Sequence, residues 1–164
     1  MDEVDRILAA WQREAPGLDV APLRVFSRVT RLSRHLDLAR KDAFATQGLE
    51  VWEFDVLAAL RRSGVPYELS PGTLIHETLS TSGTMTNRVD RLAERGLVER
   101  DRNRADRRGV RVRLTEAGRQ AVEAALADLL DYERGVLAEL GAPERQALAA
   151  SLRRLVASFE LDRA

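Results

Sequence analysis

Residues 80–88, Ser-Thr-Ser-Gly-Thr-Met-Thr-Asn-Arg, gather hydroxyl, amide and guanidinium groups into one short run. Such groups suit the phosphate oxygens and base edges of a nucleic acid. A helix that begins here would add free backbone amides and the positive end of its dipole, which both favour phosphate. The competing role is helix capping, which we expect from either Ser80 or Thr81. For the exposed positions we predict DNA contacts, from Ser82, Thr84, Thr86 and Asn87.

A basic segment overlaps this run and continues beyond it. Residues 80–113 hold ten arginines and five acidic residues, although the whole chain balances 26 basic against 26 acidic side chains. The zero net charge excludes a uniformly basic protein, but it leaves room for a local basic patch. We predict that Arg104, Arg107 and Arg108 enter a minor groove, where narrow A·T segments concentrate negative potential. The alternative is an ordinary solvated charged face.

The remaining chemistry in the sequence argues against catalysis. The absence of Cys excludes disulfides, thiol catalysis and Cys-ligated zinc, and the two His are far apart in sequence. We find no glycine-rich phosphate loop and no nucleophile–base pair, so we expect neither an enzyme nor a cofactor. No apolar run is long enough for a membrane span, and the acidic start Met-Asp-Glu-Val-Asp is untypical of a secretory signal. We therefore expect a cytoplasmic protein.

Helical periodicity dominates both ends of the chain, and the middle changes period. Apolar residues spaced three and four apart predict helices over 1–14, 22–46 and 50–62, then a long helix after Thr115 and a last one over 144–160. Ser70-Pro71 and residues 80–96 predict helix, turn, helix. Beyond Gly96 the period becomes two, which predicts two strands of a hairpin joined across residues 101–109. The fold class is mainly α with a small β-hairpin.

This order indicates a winged helix-turn-helix embedded between helices. We assign the DNA-binding domain to residues 49–114 and a helical dimerisation region to 22–46 and 115–160. Residues 1–14 form an additional N-terminal helix.

Specific motifs in the basic segment resemble those of a known family. Asp106-Arg107-Arg108, five further residues, and then Leu114-Thr115-x-x-Gly118 resemble the wing motif of the MarR family of transcriptional regulators. Residues 96–100, Gly-Leu-Val-Glu-Arg, also match the family's wing base. The resemblance covers roughly residues 22–160. It implies an obligate homodimer held by the terminal helices, a pseudo-palindromic DNA site, and a small-molecule ligand that weakens DNA binding.

A narrower resemblance concerns the urate-responsive branch of that family, which has an additional N-terminal helix. The residues that this resemblance identifies as ligand-binding are Trp11, Asp55, Arg88 and Arg100. Arginine forks and an aromatic plate suit a planar anion. Several other roles stay open. Trp11 could pack the N-terminal helix, Asp55 and Arg88 could form a structural ion pair, and Arg100 could contact phosphate.

These observations lead to one main hypothesis and one alternative. The main hypothesis is a homodimeric regulator of transcription that binds double-stranded DNA, acts as a repressor, and is released by urate or by a similar planar or polycarboxylate anion. The alternative is a helical dimeric interaction module that does not read DNA. Seven arginines between residues 100 and 113 favour the regulator, because a protein–protein module has no need of them.

Overall fold

The computed structural model describes residues 1–101 and 110–160, with the side chain of the last of these left out. Seven helices and three short strands follow one another along this part of the chain. The elements are α1 (Glu3–Glu14), α2 (Leu23–Thr46), α3 (Val51–Arg62), β1 (Glu68–Leu69), α4 (Pro71–Glu77), α5 (Ser82–Glu94), β2 (Val98–Asp101), β3 (Arg111–Leu114), α6 (Glu116–Leu137) and α7 (Ala142–Glu160). The predicted fold class, mainly α with a small β component, is confirmed.

Local capping explains where three of these helices begin. Ser70 accepts a hydrogen bond from the Thr73 amide at the start of α4 and is followed by proline in the first turn. Thr81 caps α5 and Thr115 caps α6 in the same manner. Of the two residues predicted as alternative caps for α5, Thr81 is therefore the cap.

The sheet contains one strand more than the sequence predicted. The predicted hairpin is present, with β2 antiparallel to β3 and Val98 opposite Leu114. The additional strand β1 pairs with the other edge of β3, placing Glu68 opposite Arg113. A two-residue strand carries no periodicity of its own, so only its pairing reveals it.

The main core lies between α3, α4, α5 and the sheet, with residues of α2 and α6 packed into it. From α5 it receives Met85, Val89 and Leu92, each fully buried. At the junction of α2 and α3, the Phe44 and Phe54 rings stack with their centroids 3.8 Å apart. This core fixes which face of α5 is turned inward.

A second, small core holds α1 against the first half of α2. Val4 and Leu8 pack on Val20 and Leu23. Arg28 on α2 bonds to the carboxylates of Asp2 and Asp5 on α1. Hence α1 runs along α2 with its first turn near Arg28 and its last turn near the α1–α2 connection.

The terminal helix α7 leaves its apolar side chains without a partner in the described chain. Every residue from 142 to 159 is exposed. The exposed apolar residues of this helix are Leu148, Leu152, Leu155, Val156 and Phe159. An amphipathic helix gains most of its stability from burying such a stripe. No described helix is both long and apolar enough to cross a membrane.

Candidate nucleic-acid interface and effector cleft

The exposed face of α5 carries the side chains predicted to contact DNA. Because Met85, Val89 and Leu92 face the core, the opposite face of α5 points outward. Ser82, Thr84, Thr86 and Asn87 are all exposed. The Thr86 hydroxyl donates to the Ser82 carbonyl at 3.2 Å, whereas the side chains of Ser82 and Asn87 bond to no other described residue. The first two turns of α5 thus present polar groups to solvent.

Most described arginines of the basic segment are neutralised by acidic side chains. Arg91 pairs with Glu50, Arg100 with Asp90, and Arg113 with Glu68. Arg95 pairs with Glu53. The surplus of arginine counted along the sequence therefore overstates the free positive charge on this part of the surface, because three of these acids lie outside the segment.

The arginines predicted at the hairpin tip, Arg104, Arg107 and Arg108, lie outside the described residues. The described strands show where the β2–β3 ladder ends on either side of this segment. Asp101 stands opposite Arg111 in the last pair of the β2–β3 ladder.

A cleft of about 540 Å³ opens between α2, α3 and α5, and it contains two of the four predicted ligand residues. Asp55 and Arg88 both line it, together with Lys41, Ala45, Leu49, Glu50, Val51 and Trp52. We call this the α2–α3–α5 cleft. Its wall combines two cationic side chains, Lys41 and Arg88, with an indole ring and two carboxylates.

Arg88 is held in this cleft by contacts from two directions. Its Nη1 donates to the Ser80 hydroxyl at 3.2 Å, and its guanidinium carbon lies 5.5 Å from the centroid of the Trp52 ring. The guanidinium of Arg91 lies 4.9 Å from the same ring. Two arginines of α5 therefore contact one aromatic side chain of α3.

The carboxylates of the cleft are partly engaged. Asp55 accepts a hydrogen bond from Arg40 at 3.0 Å, so its described ion-pair partner is Arg40. Glu50 accepts hydrogen bonds from Trp52 and from Arg91, and these hold the pKa of Glu50 below its ordinary value. Each carboxylate of the cleft is thus bonded to an arginine, Asp55 to Arg40 and Glu50 to Arg91.

Arg100 and Trp11 lie away from this cleft in the single chain. Arg100 on β2 donates to Asp90 on α5 at 2.5 Å, and its Nε is buried without a partner among the described residues. Trp11 lines a shallow groove with Ile7, Ala10 and Glu14 on α1. The α1 helix packs near Leu23 at the start of α2, whereas Asp55 of the cleft bonds to Arg40 near the end of α2. At a rise of 1.5 Å per residue, Leu23 and Arg40 are roughly 25 Å apart.

Comparison with known proteins agrees with this geometry. The chain is 35% identical over 153 residues to the HTH-type transcriptional regulator PecS of Dickeya dadantii (strain 3937), covering 93% of this chain and 92% of that protein. It is 31% identical over 148 residues to the HTH-type transcriptional repressor NicR of Pseudomonas putida, covering 87% of this chain and 91% of that one. A model described as the MarR family matches residues 47–109. The chain belongs to the MarR family.

Solved structures give the same fold. Sco5413, a MarR family transcriptional regulator from Streptomyces coelicolor, superposes with a TM-score of 0.68 at 26% identity, covering 87% of this chain and 97% of that one. A MarR family protein from Bacillus stearothermophilus gives a TM-score of 0.74, covering 88% and 99% of the two chains, and at 23% identity it supports the fold alone. The resemblance to the MarR family drawn from the sequence is confirmed.

The Leu-Thr-x-x-Gly part of the MarR wing motif has a structural explanation here. Thr115 caps α6 by accepting from the Gly118 amide at 3.0 Å, and its hydroxyl donates to the Gly96 carbonyl at 2.8 Å. A Cβ atom on Gly118 would lie 2.1 Å from the Leu97 carbonyl oxygen. The motif therefore joins the end of the wing to the turn that follows α5.

Two features of this MarR protein escaped the sequence reasoning. Lys41 and Trp52 line the cleft, although no motif in the sequence distinguished either of them as a candidate ligand residue. Glu53 is 1% exposed and accepts two bonds from Arg95, of 2.6 and 2.5 Å. A glutamate on a helix between apolar neighbours is the only sequence signal for such a buried acid.

Proposed function

We propose that this MarR protein is a repressor of transcription that binds double-stranded operator DNA as a homodimer. One observation carries the proposal: α5 buries one face and presents Ser82, Thr84, Thr86 and Asn87 on the other. Polar side chains on the first turns of such a helix suit the major groove. The relatives named as transcriptional regulators and repressors support this role. It is a binding function in the cytoplasm, without catalysis.

The exposed apolar stripe of α7 supports the homodimer. A helix whose described residues are all exposed needs a partner surface, and a second copy offers the same stripe. Two copies related by twofold symmetry would present two α5 helices to two half-sites. The operator would then be pseudo-palindromic.

A small anion in the α2–α3–α5 cleft would release the DNA. Arg88 belongs to α5 and faces the cleft, so an anion that binds it pulls on the helix that reads DNA. Asp55, on α3, would either be repelled by the new negative charge or accept a hydrogen bond from the ligand. Such a ligand would bind more tightly when α5 is displaced than when α5 is placed to bind DNA, and an allosteric effector needs this difference in affinity between two states. Urate, or a similar planar or polycarboxylate anion, has suitable chemistry.

Arg100 and Trp11 complete the proposed ligand set in different ways. Arg100 on β2 is joined to α5 by its ion pair with Asp90. A ligand that binds Arg100 would therefore act on α5 through this ion pair. Trp11 is remote from the cleft of its own chain, so it could contact only ligand bound elsewhere or in the other copy. A full ligand response in Trp11→Phe would limit this residue to packing α1.

The DNA-binding proposal is tested by fluorescence anisotropy with the DNA upstream of the protein's own gene, at two salt concentrations. We expect tight binding that weakens steeply with salt. Arg107→Ala and Arg108→Ala should each weaken binding and reduce the salt slope by about two, about one for each copy in the homodimer. Arg13→Ala, which removes an exposed positive charge from α1, is the control and should change neither. If binding were insensitive to salt, or absent both with this DNA and with duplexes selected from genomic fragments, the alternative of an interaction module would be favoured instead.

The anion proposal is tested on the preformed complex. We expect urate or citrate to release the DNA, and Asp55→Asn and Lys41→Met to alter the concentration required. Release that is unchanged in both variants would place the ligand site outside the cleft. Binding that is indifferent to every anion would leave the DNA function and remove the effector.

A further inference from the structure

The turn between α4 and α5 contains a leucine in a position that normally belongs to glycine. The Ser80 amide donates to the Ile75 carbonyl at 3.1 Å and the Leu79 amide donates to that of His76 at 3.4 Å. This pair of bonds is a Schellman motif, in which the residue at the position of Leu79 takes a left-handed conformation. Leu79 does so, with φ of 50°. Glycine or asparagine usually occupies such a site because a larger side chain is strained there.

The same strain is avoided or compensated at the other left-handed positions of the described chain. Gly48, Gly64 and Gly96 have no side chain to strain. Tyr67, with φ of 59°, packs against the main core and lies under the Arg61 guanidinium at 4.8 Å. Leu79 has no such compensation, because 81% of it is exposed.

Leu79 thus combines two unfavourable features in the free protein. Its backbone is strained, and its isobutyl group meets water instead of the core. Strain that the fold does not compensate tends to occur at functional positions. Its location indicates which function. Leu79 stands two residues before Thr81, the cap of α5, and so lies beside the polar end of the helix that we propose to enter the major groove.

We infer that Leu79 makes an apolar contact with duplex DNA at the edge of the α5 footprint. This inference rests on the proposed DNA-binding function. The apolar groups that B-form DNA offers to such a side chain are the C5-methyl group of thymine in the major groove and the faces of the deoxyribose rings. In the complex, this contact would remove the isobutyl group of Leu79 from water and so offset the strain of its backbone.

The test compares variants of Leu79 for thermal stability and for affinity to a duplex that the wild-type protein selects from a random-sequence library. Leu79→Ala and Leu79→Gly both remove the isobutyl group, and we expect both to bind about tenfold more weakly. Leu79→Gly should nevertheless melt at a higher temperature than Leu79→Ala, because glycine tolerates the left-handed turn. Leu79→Met keeps an apolar side chain and should stay within about twofold of the wild type.

Two controls test whether the lost affinity belongs to the isobutyl group of Leu79. Val65→Ala shortens another exposed apolar residue, 82% exposed in the α3–β1 connection, and should leave the affinity unchanged. The dependence of affinity on salt should be the same in the wild type and in Leu79→Ala, since no charge is removed. Replacing thymines of the duplex one at a time by deoxyuridine assigns the contact: an effect seen with wild type but lost in Leu79→Ala identifies a methyl group, and no effect identifies deoxyribose.

Wild-type affinity in the Ala and Gly variants would overturn the inference. So would a loss of affinity accompanied by loss of the dimer in size-exclusion chromatography, because Leu79 would then contact the second copy. Failure of the wild-type protein to bind any duplex would instead refute the proposed function. The two failures are therefore distinguishable.

Discussion

Replacing Arg95 by methionine should destabilise the fold more than replacing its partner Glu53 by glutamine, although each change breaks the same ion pair. The asymmetry follows from burial. The Glu53 side chain is 1% exposed, whereas that of Arg95 is 41% exposed and also donates to the Gly48 carbonyl at 2.8 Å. An arginine that loses its partner can still be hydrated, but a buried carboxylate cannot.

The magnitudes follow from this difference. Leaving a buried charge without a partner costs about 3 kcal/mol at the lower end of measured values, which we expect for Arg95→Met. Glu53→Gln retains an oxygen that can accept from the Glu50 amide, as the carboxylate does at 2.9 Å, and loses about 1 to 1.5 kcal/mol of charge-assisted hydrogen bonding. In the Arg95→Met background the same change removes an unpaired charge, so Glu53→Gln should there be stabilising.

The assay is urea unfolding followed by circular dichroism, at one fixed protein concentration because association would add to the apparent stability. Arg91→Met, in the last turn of α5 before the capping residue Arg95, is the matched control. Its ion pair with Glu50 is more than half exposed on both sides and should contribute less than about 1 kcal/mol. The reasoning is refuted if Arg95→Met costs no more than Arg91→Met, or if Glu53→Gln destabilises the Arg95→Met protein further.

Two further predictions concern close packing and pH. Gly118→Ala should destabilise the fold by about 3 kcal/mol in the same urea assay, because the new Cβ meets the Leu97 carbonyl oxygen at 2.1 Å, and a cost below about 1 kcal/mol would mean that α6 shifts freely. Hydrogen bonds from Arg28 and the Asp5 amide lower the pKa of Asp2, and those from the Asp2 amide and Arg28 lower the pKa of Asp5. These ion pairs therefore stabilise the docking of α1 fully above the ordinary carboxyl pKa values, and their contribution is lost as the pH falls through the lowered pKa values, below about pH 4. Trp11 fluorescence in a Trp52→Phe background should report this transition, and Arg28→Met should weaken it.

The sequence was most informative where structure depends on a few neighbouring residues. Ser70, Thr81 and Thr115 identify helix starts because a cap bonds to an amide three residues along the chain. The apolar spacing of α5 likewise separates its buried side from the side that carries Asn87. Such features need no knowledge of the rest of the fold.

Interactions between distant residues were beyond this reasoning. The basic segment looked free in the sequence, but Glu50, Glu53 and Glu68 reach its arginines from 41, 42 and 45 residues away. The strand β1 exists because it pairs with β3.

For the candidate effector site, too, the sequence indicated the residues and the tertiary structure determined their arrangement. The resemblance to the urate-responsive branch selected Asp55, Arg88, Arg100 and Trp11, and their residue types suit an anion. Only the tertiary structure determined that Asp55 and Arg88 share a cleft with Lys41, while Arg100 bonds to Asp90 and Trp11 lies in a separate groove. The physical reason is that capping and periodicity act over one or two turns of chain, whereas a cleft and its ion pairs arise from how separate helices pack together.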